Sequence, residues 1–158
     1  MSSSFTWPDD VPPPEAILFC CTMNAVRSPM AEGILKHLCG KNIYIDSAGV
    51  RECDPDGFMI AVMEEIGIDM RGHNNKTFLE MEDTYFDLIV ALSPEAQHHA
   101  LELTRTMACE TWFWRIFDPS IVEGNREEKL AAYRKVRDQL FQYIENLIET
   151  CQLKRKNE

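Results

Sequence analysis

Three things are scarce in this chain, and each scarcity excludes a class of function. The first is positive charge: 16 Lys and Arg stand against 26 Asp and Glu, for a net charge of −10. Nucleic acid and anionic membrane surfaces both demand a basic face, so neither is expected as a partner. The second is a long apolar run. None approaches the roughly 18–20 residues that cross a bilayer. The start, Met-Ser-Ser-Ser-Phe-Thr-Trp, has neither the charged opening nor the apolar stretch of a secretory signal. The third is paired cysteine spacing. Cys20, Cys21, Cys39, Cys53, Cys109 and Cys151 include no C-x-x-C pattern, so structural zinc is not expected. Together these features predict a cytoplasmic protein with mostly free thiols.

What is present suits one globular domain: 45% hydrophobic and 27% charged residues over 158 positions. Residues 1–15 are polar and carry Pro8, Pro12, Pro13 and Pro14, the composition of a flexible N-terminal tail. Residues 16–152 read as the folded α/β domain. The run Ala16-Ile17-Leu18-Phe19-Cys20 is continuously apolar, as in a strand buried on both faces. A helix should follow, with Ser28 as its cap, Pro29 in its first turn, Glu32 facing its positive end and Gly40 stopping it. Further strands are expected at residues 43–45, 86–92 and 111–117. Further helices are expected at about 56–65, from Ser93 to about Thr106, and at about 126–151. Residues 67–77 read as a loop, and Lys154-Arg155-Lys156 as a frayed, solvated end. Four strand–helix repeats predict a three-layer open sheet of four parallel strands with helices on both faces, of the flavodoxin-like kind.

In such sheets ligands bind outside the carboxyl ends of the strands. The Cys21 segment and the Asp118 segment both fall at that edge. Cys21 and Arg27 are separated by Thr22, Met23, Asn24, Ala25 and Val26. A strand-to-helix loop of this kind points several N–H groups at one spot, which favours an anion there. The thiolate is the strong nucleophile of cysteine. The Arg27 fork matches two phosphate oxygens, and the Ser28 hydroxyl is within reach of the sulfur. Asp118, stiffened by Pro119, is the candidate general acid for a leaving alkoxide or phenolate.

The run Cys-Thr-Met-Asn-Ala-Val-Arg-Ser-Pro-Met-Ala-Glu from Cys21 resembles the signature of the low-molecular-weight protein tyrosine phosphatase family. Asp46-Ser47-Ala48-Gly49, the stretch from Gly67 to His73, Phe86-Asp87-Leu88-Ile89 and Asp118-Pro119 resemble later landmarks of that family, in order. The resemblance implies a phosphocysteine formed on Cys21. It implies phosphate held by the N–H groups of residues 22–27 and by Arg27, and acid–base work by Asp118. It also implies a loop-supporting polar network of Asn24, Ser28, Ser47 and His73, although His73 by itself could equally be an ordinary loop histidine. No metal or organic cofactor is implied. The substrate would be a phosphorylated protein or a small phosphate ester, and the chain a monomer or weak dimer.

The sequence departs from the family pattern at several positions. Met23 stands where a glycine is common, and Val26 where many members carry a second cysteine. Ser120-Ile121 follow Asp118-Pro119 without an aromatic residue, and Arg51-Glu52-Cys53 replace the aromatic wall usual after Ser-Ala-Gly. Aromatic walls recognise a tyrosine ring, so phosphate chemistry is better marked here than tyrosine recognition. Two other functions remain open. One is a thioredoxin-coupled arsenate reductase, which needs resolving cysteines; only Cys109 and Cys151 follow the third strand. The other is a phosphate-binding regulatory module with weak catalysis.

Overall fold

The apolar run at the start of the domain forms β1 (Ala16–Cys21), buried at every position but the first. It lies at the centre of the sheet because both its edges are used. β2 (Tyr44–Gly49) pairs with it in parallel on one side, matching Phe19 with Ser47 and Cys21 with Gly49. β3 (Leu88–Ala91) pairs in parallel on the other side, matching Cys20 with Ala91. β4 (Glu110–Phe113) extends the sheet beyond β3, giving the order β2-β1-β3-β4. The computed structural model describes residues 5–81 and 85–157, so the first four residues of the expected tail lie outside it.

Alternation along β1 divides the core between two faces. Ile17, Phe19 and Cys21 face the larger cluster, filled by α1 (Arg27–Cys39), α2 (Gly57–Glu64) and α4 (Arg126–Cys151). Leu18 and Cys20 face the smaller one, closed by Ala96 and Ala100 of α3 (Pro94–Leu103). This is the flavodoxin-like three-layer sheet that the strand–helix repeats predict. Among the described residues, no helix is long and apolar enough to cross a membrane.

Several element boundaries differ from expectation. α1 begins at Arg27, two residues early, with Val26 in place of Ser28 at its cap position and no capping side chain. Ser28 is therefore inside the first turn, where it meets Cys21, and Glu32 lies beyond it, where it meets Ser47 of β2. β2 continues to Gly49 because Ser47 and Ala48 are buried against β1. β4 stops at Phe113, where pairing with the short β3 runs out. The C-terminal lysine–arginine stretch is tied down rather than frayed. Asn42 donates to the carbonyls of Lys154 and Arg155, and the Lys156 N–H donates to Leu38 O. Ahead of β1, Phe5 stacks on Trp112 with ring centres 5.6 Å apart.

Ile34 sits on α1 with its side chain fully enclosed in the larger cluster. Ile34→Ala should lower the unfolding free energy by about 2–5 kcal/mol through lost burial and the cavity left behind. Urea denaturation of the two proteins measures the difference.

Candidate active site

The loop between β1 and α1 reverses the chain at Asn24, whose φ of 47° lies in the left-handed region. Asparagine tolerates that conformation better than most residues. Its side chain then bonds in three directions. Nδ2 donates to Ser28 Oγ at 2.8 Å and to Ser47 Oγ at 3.0 Å, while Oδ1 accepts from the Lys76 N–H at 3.0 Å. Ser28 Oγ lies 2.9 Å from Cys21 Sγ. Because that oxygen already accepts from Asn24, its own proton is free to point at the sulfur. The Ser28 N–H also donates to Sγ, at 3.4 Å. Two donors thus converge on a sulfur whose residue is 2% exposed.

The loop is braced from both sides. The Val50 N–H donates to Thr22 O at 2.8 Å and to Cys21 O at 3.2 Å, and the Arg51 N–H donates to Thr22 O at 2.9 Å. Gly49 permits this approach: a Cβ there would sit 2.6 Å from Asn24 N and 2.7 Å from the Met23 carbonyl carbon. On the other side Thr22 Oγ1 donates to Ser93 Oγ at 3.0 Å, and the same Ser93 oxygen caps α3.

Arg27 is buried, and its fork is held by carbonyls. Nη1 donates to Ile116 O at 3.0 Å and approaches Leu92 O at 3.5 Å. Nη2 lies 3.8 Å from Asp118 Oδ2. The other Asp118 oxygen, Oδ1, accepts from the Ser120 N–H at 3.0 Å and from Ser120 Oγ at 2.7 Å. Cys21, Arg27 and Asp118 line one cavity of about 140 Å³, whose walls also include Met23, Ala25, Val26, Cys53, Asp56 and Ser120. Among the described residues, no aromatic side chain lines it. The parts needed for nucleophilic attack on an oxyanion are therefore together: a sulfur with two donors, a fixed guanidinium, and a carboxyl group with one oxygen turned toward the same space. Among the described residues no cluster of His, Cys, Asp or Glu is arranged to hold a metal ion.

Three of the four expected supporting residues are linked directly, and the fourth through a further side chain. Asn24 is hydrogen-bonded to both Ser28 and Ser47, and among the described residues His73 makes no side-chain hydrogen bond to these three. Glu32 stands between: Ser47 Oγ donates to Glu32 Oε1, and His73 Nδ1 lies 3.7 Å from that oxygen. Lys36 Nζ pairs with the second Glu32 oxygen at 2.5 Å. His73 Nε2 is buried with no hydrogen-bond partner among the described residues. Burial is the main cause holding the His73 imidazole below its ordinary pKa, against the opposing pull of Glu32. The helical spacing of Ser28 and Glu32, four residues apart, was the signal for Glu32. Asp56 is a second residue the motif does not mark. It caps α2 through Met59 N at 3.0 Å and accepts from Tyr133 Oη of α4 at 2.8 Å. Burial first, then Asp56, pushes that phenol well above its usual range. A larger hollow of about 580 Å³ opens beside His73 and Lys76, but Cys21 is not among its lining residues.

Comparison with known proteins shows the family and the fold. The family model described as low molecular weight phosphotyrosine protein phosphatase matches residues 16–158. An arsenate reductase of Halalkalibacterium halodurans is 33% identical over 138 residues, covering 86% of this chain and 96% of that protein. A low molecular weight protein tyrosine phosphatase from T. tengcongensis superposes with a TM-score of 0.70 at 27% identity, over 85% of this chain and 97% of that one. The tyrosine phosphatase amsI of Erwinia amylovora, 19% identical, shares the fold with a TM-score of 0.72 over 92% of this chain and 97% of its own.

Two outcomes follow from the geometry. Gly49→Ala should lower the urea midpoint, by about 1–3 kcal/mol of stability, because backbone on both sides of the new Cβ cannot yield. Gly57→Ala, where a Cβ meets nothing within 4 Å, should not lower it and serves as the control. The second concerns pH. His73 binds a proton less readily in the folded chain, so the unfolded chain takes up the proton first. Stability from this group is complete above the ordinary value of 6.5 and is lost as pH falls through it. Urea titrations at pH 7.5 and about pH 5.5 should show a smaller acid loss in His73→Gln than in the native chain.

Proposed function

The chain belongs to the low molecular weight phosphotyrosine protein phosphatase family, and from that premise we propose that it hydrolyses phosphotyrosine or a small aryl phosphate through a phosphocysteine intermediate. The observation that carries this reading is the shared cavity of Cys21, Arg27 and Asp118. Cys21 Sγ attacks phosphorus in line as the ester P–O bond breaks. Arg27 and the N–H groups of residues 22–27 take the charge on the three equatorial oxygens. Asp118, through Oδ2, gives its proton to the leaving oxygen. In the second half Asp118, now a carboxylate, takes a proton from water as that water attacks the phosphocysteine. The S–P bond breaks, the thiolate returns to the Ser28 donors, and phosphate departs. The carbonyls of Leu92 and Ile116 keep the Arg27 fork oriented, so the guanidinium need not reorganise as charge develops.

A second reading is supported by the names of the relatives, of which several are arsenate reductases. Arsenate has the shape and charge of phosphate and would use the same cradle. A thioredoxin-coupled reductase also needs resolving thiols, and those after β3 are remote. Cys109 precedes β4, at the sheet edge opposite the loop, and Cys151 is buried at the end of α4.

The test is a panel of phosphotyrosine, phosphoserine and small aryl phosphates, run beside thiol-dependent arsenate turnover. The phosphatase reading expects aryl phosphates to be hydrolysed, with turnover absent in Cys21→Ser. Asp118→Asn should lower kcat about 10²–10⁴-fold while leaving the affinity for inorganic phosphate within about threefold of the native chain's. Arsenate turnover without ester hydrolysis would support the reductase instead. Tight phosphate binding with neither activity would point to a binding module.

A further inference from the structure

The hydrolytic cycle leaves one nucleophilic group of the cavity without a task. Cys53 is a free, half-buried thiol, and it lines the same cavity as Cys21. That cavity is small, at about 140 Å³. The backbone ties the two segments together as well. Thr22, the neighbour of Cys21, accepts from the Arg51 N–H at 2.9 Å. Cys53 is two residues further on, so its Cα lies within about 7 Å of that of Arg51. The stretch between is held at its ends. Arg51 makes two hydrogen bonds to Glu95, at 2.8 and 2.6 Å, and Asp56 caps α2. Between those anchors residues 52–55 carry no helix or strand, and Cys53 is held through its carbonyl, which accepts from Asn75 Nδ2 at 3.2 Å.

The other thiols have no such access. Cys20 adjoins Cys21 in sequence but faces the opposite side of the sheet, where its thiol donates to Val90 O at 3.8 Å. A disulfide between adjacent residues is also strained. Cys39 and Cys151 are buried in the helical layer, and Cys109 lies ahead of β4.

We infer that Cys53 is the resolving partner of Cys21, so that oxidation by a hydroperoxide closes a Cys21–Cys53 disulfide across the cavity. The inference rests on the reading of Cys21 as the nucleophilic thiolate. In the first step the sulfur attacks the peroxide, an S–O bond forms and the O–O bond breaks. Cys21 becomes a sulfenic acid, oxidised by two electrons, and the peroxide is reduced to water or alcohol. In the second step Cys53 loses its proton and attacks the Cys21 sulfur. The S–S bond forms, the S–O bond breaks, and the departing hydroxide takes the proton to leave as water. Burial first, then the carboxylates of Asp54 and Asp56, push the Cys53 thiol up. Closure removes the nucleophile, protects it from further oxidation, and is undone by dithiol.

The full chain is treated with one equivalent of hydrogen peroxide, digested without reduction, and mapped by peptide mass spectrometry. The expected product is a peptide pair joined through Cys21 and Cys53 and lacking two hydrogens. Cys53→Ser and Cys53→Ala should instead accumulate Cys21 sulfinic acid. Dithiothreitol should then restore about tenfold less of each variant's own untreated aryl phosphatase activity than of the native chain's. A Cys20–Cys21 link, a Cys21 sulfinic acid without cross-link in the native chain, or equal recovery in the variants would overturn the inference. The cross-link is read without turnover. A chain that forms it yet hydrolyses no aryl phosphate refutes the phosphatase reading and leaves the thiol pair standing.

Discussion

Asn24 turns the chain at a φ of 47° and spends its whole side chain holding that turn. Four pieces of chain meet there: the loop itself, Ser28 of α1, Ser47 of β2 and the segment at Lys76. Remove this side chain and Ser28 loses the donor that directs its proton to the Cys21 sulfur. Ser47 would also lose its link to the loop, leaving Glu32 and His73 behind a broken network. Each of these polar groups is buried, so a partly satisfied network would be more costly than an apolar one. The loop is therefore held in one conformation before any oxyanion arrives.

That preparation explains how a chain of net charge −10 can offer an anion site. The favourable field is local. It comes from the start of α1 and from one guanidinium fixed by the carbonyls of Leu92 and Ile116. Those carbonyls lie just beyond β3 and β4, while Cys21 ends β1. A parallel sheet delivers all three to one edge, and the flanking strands set their spacing. Asp118 shares that edge, with one oxygen occupied by Ser120 and the other toward Arg27.

Much of this was legible in the sequence. The continuous apolar run of β1, the long apolar stripe of α4 and the four strand–helix repeats are strong periodic signals, and the fold follows from them. The spacing from Cys21 to Arg27 marks the loop, and Asp118-Pro119 marks the second segment. Other parts were not legible, for physical reasons. Ser28 looks like a helix cap, but the helix starts two residues earlier than that cap would set it and frees its hydroxyl for the sulfur. Glu32 looks like a charge at a helix end, yet it joins Ser47 to His73 across elements far apart in sequence. The brace from Gly49 to Arg51 and the carbonyls that hold Arg27 are backbone features, which residue types do not announce. Cys53 is recognisable only once the fold sets it in the wall of the cavity.

The central claim is that the Cys21 sulfur itself receives the phosphoryl group. The direct measurement is rapid mixing of the full chain with an aryl phosphate, acid quenching within the first turnover, and peptide mass spectrometry of the cysteines. A phosphoryl group on Cys21, absent from Cys20 and Cys53, is the predicted result. Ester hydrolysis that proceeds with no phosphoryl group on Cys21, or with one on another residue, would contradict it.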